Sequence, residues 1–364
     1  MARNTLDIRL DLIQKNYRNI SEHVHPLKVM CILKANAYGL GAYEVARALI
    51  SEGVQRIGVA DLNEALVLRN LDVEIQLIGD LVDQEIPRVV TEGFIAPVTS
   101  YEQALKISRE AGSQHKTVRA QFLIDSGMGR LGILIEQAYE EIRKCIPLKN
   151  ICFDGIYSHF PHAYGNLNFS DSQVNGLIGL VSKLSEGGIR FEDLHIANSD
   201  GIHNVDSSSA TPFNMARTGI NLYGYYDLEG QKKFPLAQVL TLKSRLISVR
   251  NLPAGTTVGY GRTFTLDKKM KVGTVAIGYA DGMPISLSNR GHLIVKGVKC
   301  PIVGRVSMDY TTIDLSGVNA KPGDEVICLG EGINVSDWAE MSGTISYDII
   351  CSIGARVKRV YLNG

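Results

Sequence analysis

Three things are missing from this chain of 364 residues: an excess of charge, a long apolar run, and any pairing of cysteines. Lys plus Arg number 38 and so do Asp plus Glu, which leaves a formal net charge of zero. A balanced surface offers no footprint for a polyanion and argues against nucleic acid or an anionic membrane as partner. No apolar stretch is long enough to span a bilayer. The amino terminus, Met1-Ala-Arg-Asn-Thr-Leu-Asp-Ile-Arg9, is broken by charge and lacks the apolar core of a secretory leader, so a cytoplasmic location is expected. The six cysteines (Cys31, Cys145, Cys152, Cys300, Cys328, Cys351) are scattered, with no Cys-x-x-Cys pair. They are expected to be small buried hydrophobes in a reducing compartment, not a disulfide framework or a zinc site. No metal is expected either: His159 and His162 stand three apart but lack an acidic or cysteine partner at ligand spacing. Tandem repeats and low-complexity segments are also absent, which excludes a solenoid.

What is present is a chain that is 45% hydrophobic, enough for a large core, with a length that suggests one large domain and a smaller one. Leu6 to Leu10 alternates apolar and charged residues like a half-exposed strand, and Asp11 could cap a helix running to about Val24. From Val29 the chain repeats one unit of short apolar strand, turn and amphipathic helix. The strands are Val29–Leu33, Ile57–Ala60, Ile75–Ile78, Phe94–Val98, Arg119–Ile124, Cys152–Tyr157, Asp193–Ala197 and Asn214–Ile220. Helices are expected at 63–69, 83–91, 101–111, 136–145 and 170–186. Eight such units in roughly 200 residues predict an α/β fold with a closed (β/α)8 barrel; an open doubly wound sheet would be unusually wide.

Beyond about Gly230 the texture becomes β runs separated by Pro-Ala-Gly, Asp-Gly, Lys-Gly and Lys-Pro-Gly-Asp turns, with two short helices near 337–341 and 347–351. The expected division is therefore a barrel over 11–228 and a mostly β domain over 229–364, with the N-terminal strand of residues 1–10 packing on the latter.

Lys34 directly follows an unbroken apolar strand, at the edge where parallel α/β folds bind ligands. A lysine there can lose water, lower its pKa and form a Schiff base with a carbonyl; alone, it reads more simply as a strand-end lysine reaching solvent. Other strand ends supply Tyr38, the stretch Asp125-Ser-Gly-Met-Gly-Arg130, His159, Asn198 with Ser199, and Arg217-Thr-Gly219-Ile220. Backbone amides near Gly219 and Ile220 with the Ser199 hydroxyl could hold a phosphate after strands seven and eight, where barrel phosphate sites lie. A lysine, a phosphate nest and a histidine platform together suggest pyridoxal phosphate. Gly39-Leu-Gly41 lacks the third glycine of a dinucleotide fingerprint and serves the turn. Tyr260, set between glycines in the β domain, reads by itself as a structural turn residue.

Eight motifs occur here in the order they take in one family. They are Ile32-Leu-Lys-Ala-Asn-Ala-Tyr-Gly-Leu-Gly41, Asp125-Ser-Gly-Met-Gly-Arg-Leu-Gly132, Tyr157-Ser-His-Phe160, His195-Ile-Ala-Asn-Ser199, Arg217-Thr-Gly-Ile-Asn-Leu-Tyr-Gly224, Val258-Gly-Tyr-Gly-Arg262, Ile277-Gly-Tyr-Ala-Asp-Gly282 and Gly304-Arg-Val-Ser-Met-Asp309. Over essentially its whole length the chain resembles the alanine racemases. The resemblance implies pyridoxal 5'-phosphate as cofactor, held by Lys34, which would also be one catalytic base. Tyr260 of the partner subunit in a homodimer would be the other. Tyr38, Asn198, Ser199, Gly219, Ile220 and Tyr347 would surround the phosphate, His159 would support the ring and Arg217 would face its nitrogen. Arg130 would hydrogen-bond the Tyr260 phenol, Met308 and Asp309 of the partner subunit would help seat the substrate carboxylate, and Tyr279 would line the entrance. The implied activity interconverts L- and D-alanine and supplies D-alanine for peptidoglycan.

Three positions depart from the family pattern. The residue seven before Arg130, often a carboxylated lysine, is Leu123; an arginine after the Gly-Tyr-Ala-Asp-Gly motif is replaced by Ile285; and the glutamate after Tyr347 is Asp348. Both bases remain, while substrate preference stays open among alanine, serine, lysine and other amino acids. A related amino-acid decarboxylase would want an acidic partner at the ring nitrogen, where this chain has Arg217. A non-catalytic cofactor-carrying barrel would have no use for a β domain bearing Tyr260, Met308 and Asp309.

Overall fold

The computed structural model describes residues 2–226 and 229–364, so the expected domain boundary at 228 falls outside the described residues. The chain forms two compact units, Met1–Leu12 with Tyr38–Leu40 and Gln238–Gly364, and Ile13–Ala37 with Gly41–Ala237. The first strand, β1 (Thr5–Arg9), runs straight into a helix, Leu10–Val24. Asp11 does not cap that helix: it lies inside the first turn, and Arg9 occupies both its oxygens, at 2.7 and 2.6 Å.

In the larger unit the parallel strands are β2 (Lys28–Ile32), β3 (Arg56–Val59), β4 (Glu74–Leu77), β5 (Ala96–Val98) and β6 (Val118–Asp125). They continue through the two-residue β7 (Ile133–Leu134) to β8 (Ile151–Tyr157), β9 (Asp193–His195) and β10 (Met215–Thr218). One sheet runs β10-β2-β3-β4 and another β5-β6-β8-β9. The pairings stay in parallel register, Cys31 opposite Ile57 and Ile57 opposite Ile75. A bridge between Gln76 and Ile95 joins the sheets at one seam. At the other, the Asn214 amide donates to Leu194 O and the Arg217 amide to Ala197 O, both at 3.1 Å, so the eight main strands close into a barrel. Amphipathic helices follow the strands at Ala42–Ile50, Leu62–Leu68, Ile86–Glu92, Tyr101–Ser113, Ile135–Cys145 and Leu167–Glu186. The helix expected from Asp83 starts three residues later, with Pro87 in its first turn, where a missing N–H costs no hydrogen bond.

Alternation along the strands sorts the side chains into layers, since residues i, i+2 and i+4 share a face. Lys28, Arg56, Glu74, Arg119, Asp154 and Asp193 interlock as ion pairs at the strand starts. Two residues further on, Gln76, Gln121 and His195 hydrogen-bond to one another. Another step brings Ile78, Leu123, Tyr157 and Arg217 to a cavity at the strand ends. The barrel centre is thus polar where barrels usually interdigitate branched apolar side chains.

The smaller unit is an antiparallel assembly around its longest strand, β11 (Leu240–Leu252). After β12 (Thr257–Val258) and β13 (Phe264–Thr265) come β14 (Met270–Val275), β15 (His292–Val295), β16 (Val298–Pro301), β17 (Thr311–Asp314), β18 (Glu325–Leu329) and β19 (Lys358–Leu362). The main sheet order is β16-β15-β18-β11-β1-β19, with β14 also on β11 and β17 on β14. Within it β1 pairs antiparallel to β11 and parallel to β19, which buries Leu6 and Ile8 completely. Segment 38–40 is tied into this unit by Arg359, whose Nε donates to Gly39 O at 3.1 Å. Four of the six cysteines are buried, but Cys152 and Cys351 are exposed, against the expectation that all would be core residues. Among the described residues no helix is long and apolar enough to cross a membrane, and no group of three or more His, Cys, Asp or Glu could hold a metal.

Candidate active site

Lys34 begins a backbone feature that L-residues avoid. Ala35, Asn36, Ala37 and Tyr38 all have φ between 53° and 56°, a left-handed turn that costs about 1–2 kcal/mol per residue. Specific acceptors hold it. The Ala37 amide donates to Leu33 O at 2.8 Å, and Asn36 accepts the Gly41 amide on its carbonyl at 2.9 Å and the Ala42 amide on Oδ1 at 2.8 Å. Glu64, on the next helix, accepts the Ala35 amide at 2.5 Å with one oxygen and the Ala60 amide at 2.8 Å with the other. A strained turn fixed from several sides is the kind of device found at functional sites.

The cavity at the strand ends has a volume of about 210 Å³ and is lined by Lys34, Arg130, His159 and Arg217 together with Leu123 and Tyr157. Arg130 sits on a loop organised by Asp125, whose Oδ1 accepts the amides of Gly127, Met128 and Gly129 at 2.8–3.1 Å. Burial alone would raise Asp125, but these amides and that of Arg130 bring its pKa below the usual value. His159 is half-buried; desolvation, reinforced by the charges of Arg217, Arg130 and Lys34, pushes its pKa down to about 3, so its ring is neutral. Leu123, 7% exposed, places a methyl-rich wall where an anion could otherwise have faced Arg130.

Arg217 is 3% exposed, and its hydrogen-bond partners among the described residues are all neutral. Nη2 donates to Ser158 O at 2.7 Å and Ile196 O at 3.0 Å and approaches His159 Nδ1 at 3.3 Å, while Nη1 lies 2.6 Å from His195 Nδ1. Burial lowers its pKa to about 10, which leaves it charged at neutral pH. Two residues on, the Gly219 amide donates to Ser199 Oγ at 3.0 Å. Asn198 caps the short helix 199–204 by accepting the Gly201 amide at 2.8 Å, and buried Ile220 follows Gly219. The sequence-predicted residues Asn198, Ser199, Gly219 and Ile220 therefore converge at the ends of β9 and β10.

The remaining candidates lie in the smaller unit. The rings of Tyr38 and Tyr347 are 5.9 Å apart. Tyr260, Tyr279, Ile285, Met308 and Asp309 line an open pocket of about 620 Å³. Gly259 and Gly261, at φ 73° and 71°, hold Tyr260 on a tight turn with the side chain 74% exposed. Asp309 pairs with Arg356 at 2.9 Å, and the same guanidinium grips buried Asp281 through two nitrogens at 2.7 and 3.0 Å. The Ala280 amide donates to Met308 O at 3.1 Å, so the two motifs 277–282 and 304–309 are one piece of structure. Glu64, Gln121, His195 and Arg356 were not singled out from sequence; only His195 had a signal, as the first residue of the His-Ile-Ala-Asn-Ser motif.

With this geometry in hand, comparison with known proteins is specific. Residues 8–227 match the family model "Alanine racemase, N-terminal domain" and residues 239–361 match "Alanine racemase, C-terminal domain". The chain is 37% identical to the alanine racemase of Thermodesulfovibrio yellowstonii, covering 98% of this chain and 97% of that one. It is 34% identical to that of Carboxydothermus hydrogenoformans, covering 98% of each. Among solved structures, alanine racemase of Clostridium difficile 630 superposes with a TM-score of 0.95 at 31% identity, over 100% of this chain and 97% of that one. The alanine racemase of Bartonella henselae with covalently bound pyridoxal phosphate gives 0.89 at 29%, over 100% of both.

Proposed function

Because this chain belongs to the alanine racemase family, we propose that Lys34 and Tyr260 of a second copy are the two bases of its reaction. The protein is an amino-acid racemase that interconverts L- and D-alanine and depends on pyridoxal phosphate. The observation that carries the assignment of roles is the convergence of Lys34, His159, Arg130 and Arg217 on one cavity at the strand ends.

The residues fit the cofactor. Ser199 Oγ with the amides at Gly219 and Ile220, beside Asn198, offers a polar nest for its phosphate. Arg217, whose hydrogen-bond partners among the described residues are all neutral, suits a ring nitrogen left unprotonated, and neutral His159 suits support of the ring. When bound, the cofactor withdraws electrons from Cα of the amino acid joined to it and so acidifies that C–H. Lys34 anchors the cofactor and moves a proton at one face of Cα; the partner's Tyr260 moves one at the other, and two bases on opposite faces suffice to invert the centre. Arg130 orients that phenol, and Arg217 disfavours protonation of the ring nitrogen, which limits side reactions.

A homodimer follows from the same reading. Tyr260, Met308, Tyr279, Ile285 and Tyr310 are each more than 40% exposed around one open pocket, an apolar surface suited to cover by a second copy. We place the enzyme in the cytoplasm, where D-alanine would feed peptidoglycan synthesis. Borohydride treatment of the holoenzyme followed by peptide mass mapping should put the cofactor mass on Lys34, and a chiral assay across amino acids should show alanine turned over fastest. An unmodified Lys34 would remove its role as anchor.

A further inference from the structure

A buried polar chain runs through the barrel centre from the ion-pair layer to Arg217, and none of the roles above uses it. At its lower end Asp193, fully buried, accepts from Arg56 Nη1 at 2.5 Å and from Lys28 Nζ at 3.2 Å. Gln121 Nε2 donates to Asp193 Oδ2 and to Asp154 Oδ1, each at 3.2 Å. Gln121 Oε1 receives Gln76 Nε2 at 2.8 Å and lies 2.9 Å from His195 Nε2. His195 Nδ1 in turn lies 2.6 Å from Arg217 Nη1. Gln76, Gln121 and His195 are all 0% exposed, so water offers none of them another partner.

Direction propagates along this chain. A carboxylate clamped by two cations only accepts, so the amide nitrogen of Gln121 must face Asp193 and its oxygen must face the histidine. An amide oxygen has no proton to give, so His195 Nε2 carries the hydrogen. A neutral imidazole has a single N–H, which leaves the lone pair on Nδ1 to accept from Arg217. Burial, with the nearby charges of Arg217 and Arg56, holds the His195 pKa well below its ordinary value and rules out the doubly protonated ring at neutral pH. The opposite tautomer would press two N–H groups together at 2.6 Å and leave a buried lone pair against an amide oxygen.

We propose that Gln121 is a positioning residue that transmits the acceptor character of Asp193 through His195, so that Arg217 meets a lone pair and is held charged on the cavity wall without a carboxylate partner. A carboxylate there would cancel the charge that Arg217 presents to the cavity; an imidazole lone pair orients the guanidinium and leaves that charge intact. The consequence for cofactor binding rests on Arg217 facing the cofactor ring, whereas the tautomer does not depend on that assignment.

The test is long-range proton–nitrogen NMR of the holoenzyme labelled with 15N-histidine, with His195→Gln identifying the signal. Wild type should show His195 protonated on Nε2 alone; an Nδ1–H tautomer or an imidazolium would overturn the proposal, and this result stands even should a Gln121 variant fail to fold. Gln121→Met, which keeps the length but neither donates nor accepts, should give a mixture of tautomers and weaken cofactor retention about tenfold. Gln121→Glu, whose carboxyl is kept protonated beside Asp154 and Asp193, should restore both. A Gln121→Met protein with a single Nε2–H signal and unaltered cofactor affinity would refute the role. Failure of the cofactor assignment instead would show as an Nε2–H wild type with no borohydride label on Lys34.

Discussion

Glu64 accepts the amide of Ala35, the residue after the cofactor lysine, at 2.5 Å, and its second oxygen takes the Ala60 amide at the end of the neighbouring strand. One carboxylate thereby satisfies two strand ends and braces the left-handed turn that begins at Lys34. Glu64→Gln can satisfy only one of them, because its amide nitrogen would face an N–H. The expected loss is about 1 kcal/mol, the net worth of one hydrogen bond, because the donor on exposed Ala35 or half-buried Ala60 can turn to water instead. Urea unfolding should register that loss. Cofactor retention should fall as well, because the turn relaxes toward right-handed backbone; a variant that is destabilised yet holds cofactor as tightly as wild type would show that the turn does not position Lys34.

How far the sequence could be read differs between the two units for a physical reason. Periodicity exposed all eight barrel strands, since each is a short apolar run ending in a turn, and the strand ends named Lys34, His159, Ser199 and Arg217 before any geometry was known. The left-handed turn could not be read: Ala35, Asn36 and Ala37 carry no glycine to announce positive φ, and the acceptors that stabilise them include Glu64, 29 residues away. Gln121 was equally silent, as a polar residue between Ala120 and Phe122 gains meaning only from three other strands. Arg356 carried no signal of its own, and its grip on Asp281 and Asp309 is a matter of tertiary placement. The roles of Tyr260, Met308 and Asp309 came from resemblance alone, because residues acting across a dimer leave no periodic trace.

His203 offers a prediction about pH. Its ring is 2% exposed, lies 4.4 Å from the ring of Phe234 and 5.2 Å from that of Tyr226, and accepts the Lys233 amide at 3.3 Å. Burial, then the charges of His23 and Lys233, lower its pKa to about 4. The unfolded chain therefore binds a proton below about pH 6.5 that the folded chain refuses until about pH 4. The stability that His203 contributes is complete above pH 6.5 and declines as pH falls through that window, by about 1.4 kcal/mol per unit for one proton. His203→Gln, which keeps an acceptor for the Lys233 amide, should reduce the slope of unfolding free energy against pH by that one proton. An unchanged slope would mean that His203 titrates alike in both states.

Tyr260 carries the final prediction. It stands on a turn between two glycines and packs little within its own chain, so removing the phenol oxygen leaves the fold of that chain intact. Tyr260→Phe should keep cofactor affinity and spectrum close to wild type while turnover falls by about 10²–10⁴ in both directions, because inversion needs a proton taken at one face and returned at the other. With Lys34 intact, one base remains. The enantiomer whose Cα–H faces Lys34 should still exchange that hydrogen with deuterated water and keep its configuration, while the other enantiomer should lose exchange along with inversion. Proton NMR of L- and D-alanine incubated separately with the variant reads both quantities. Equal residual exchange from the two enantiomers would mean that Tyr260 is not a face-specific base, and retained racemisation at the wild-type rate would remove it from the reaction.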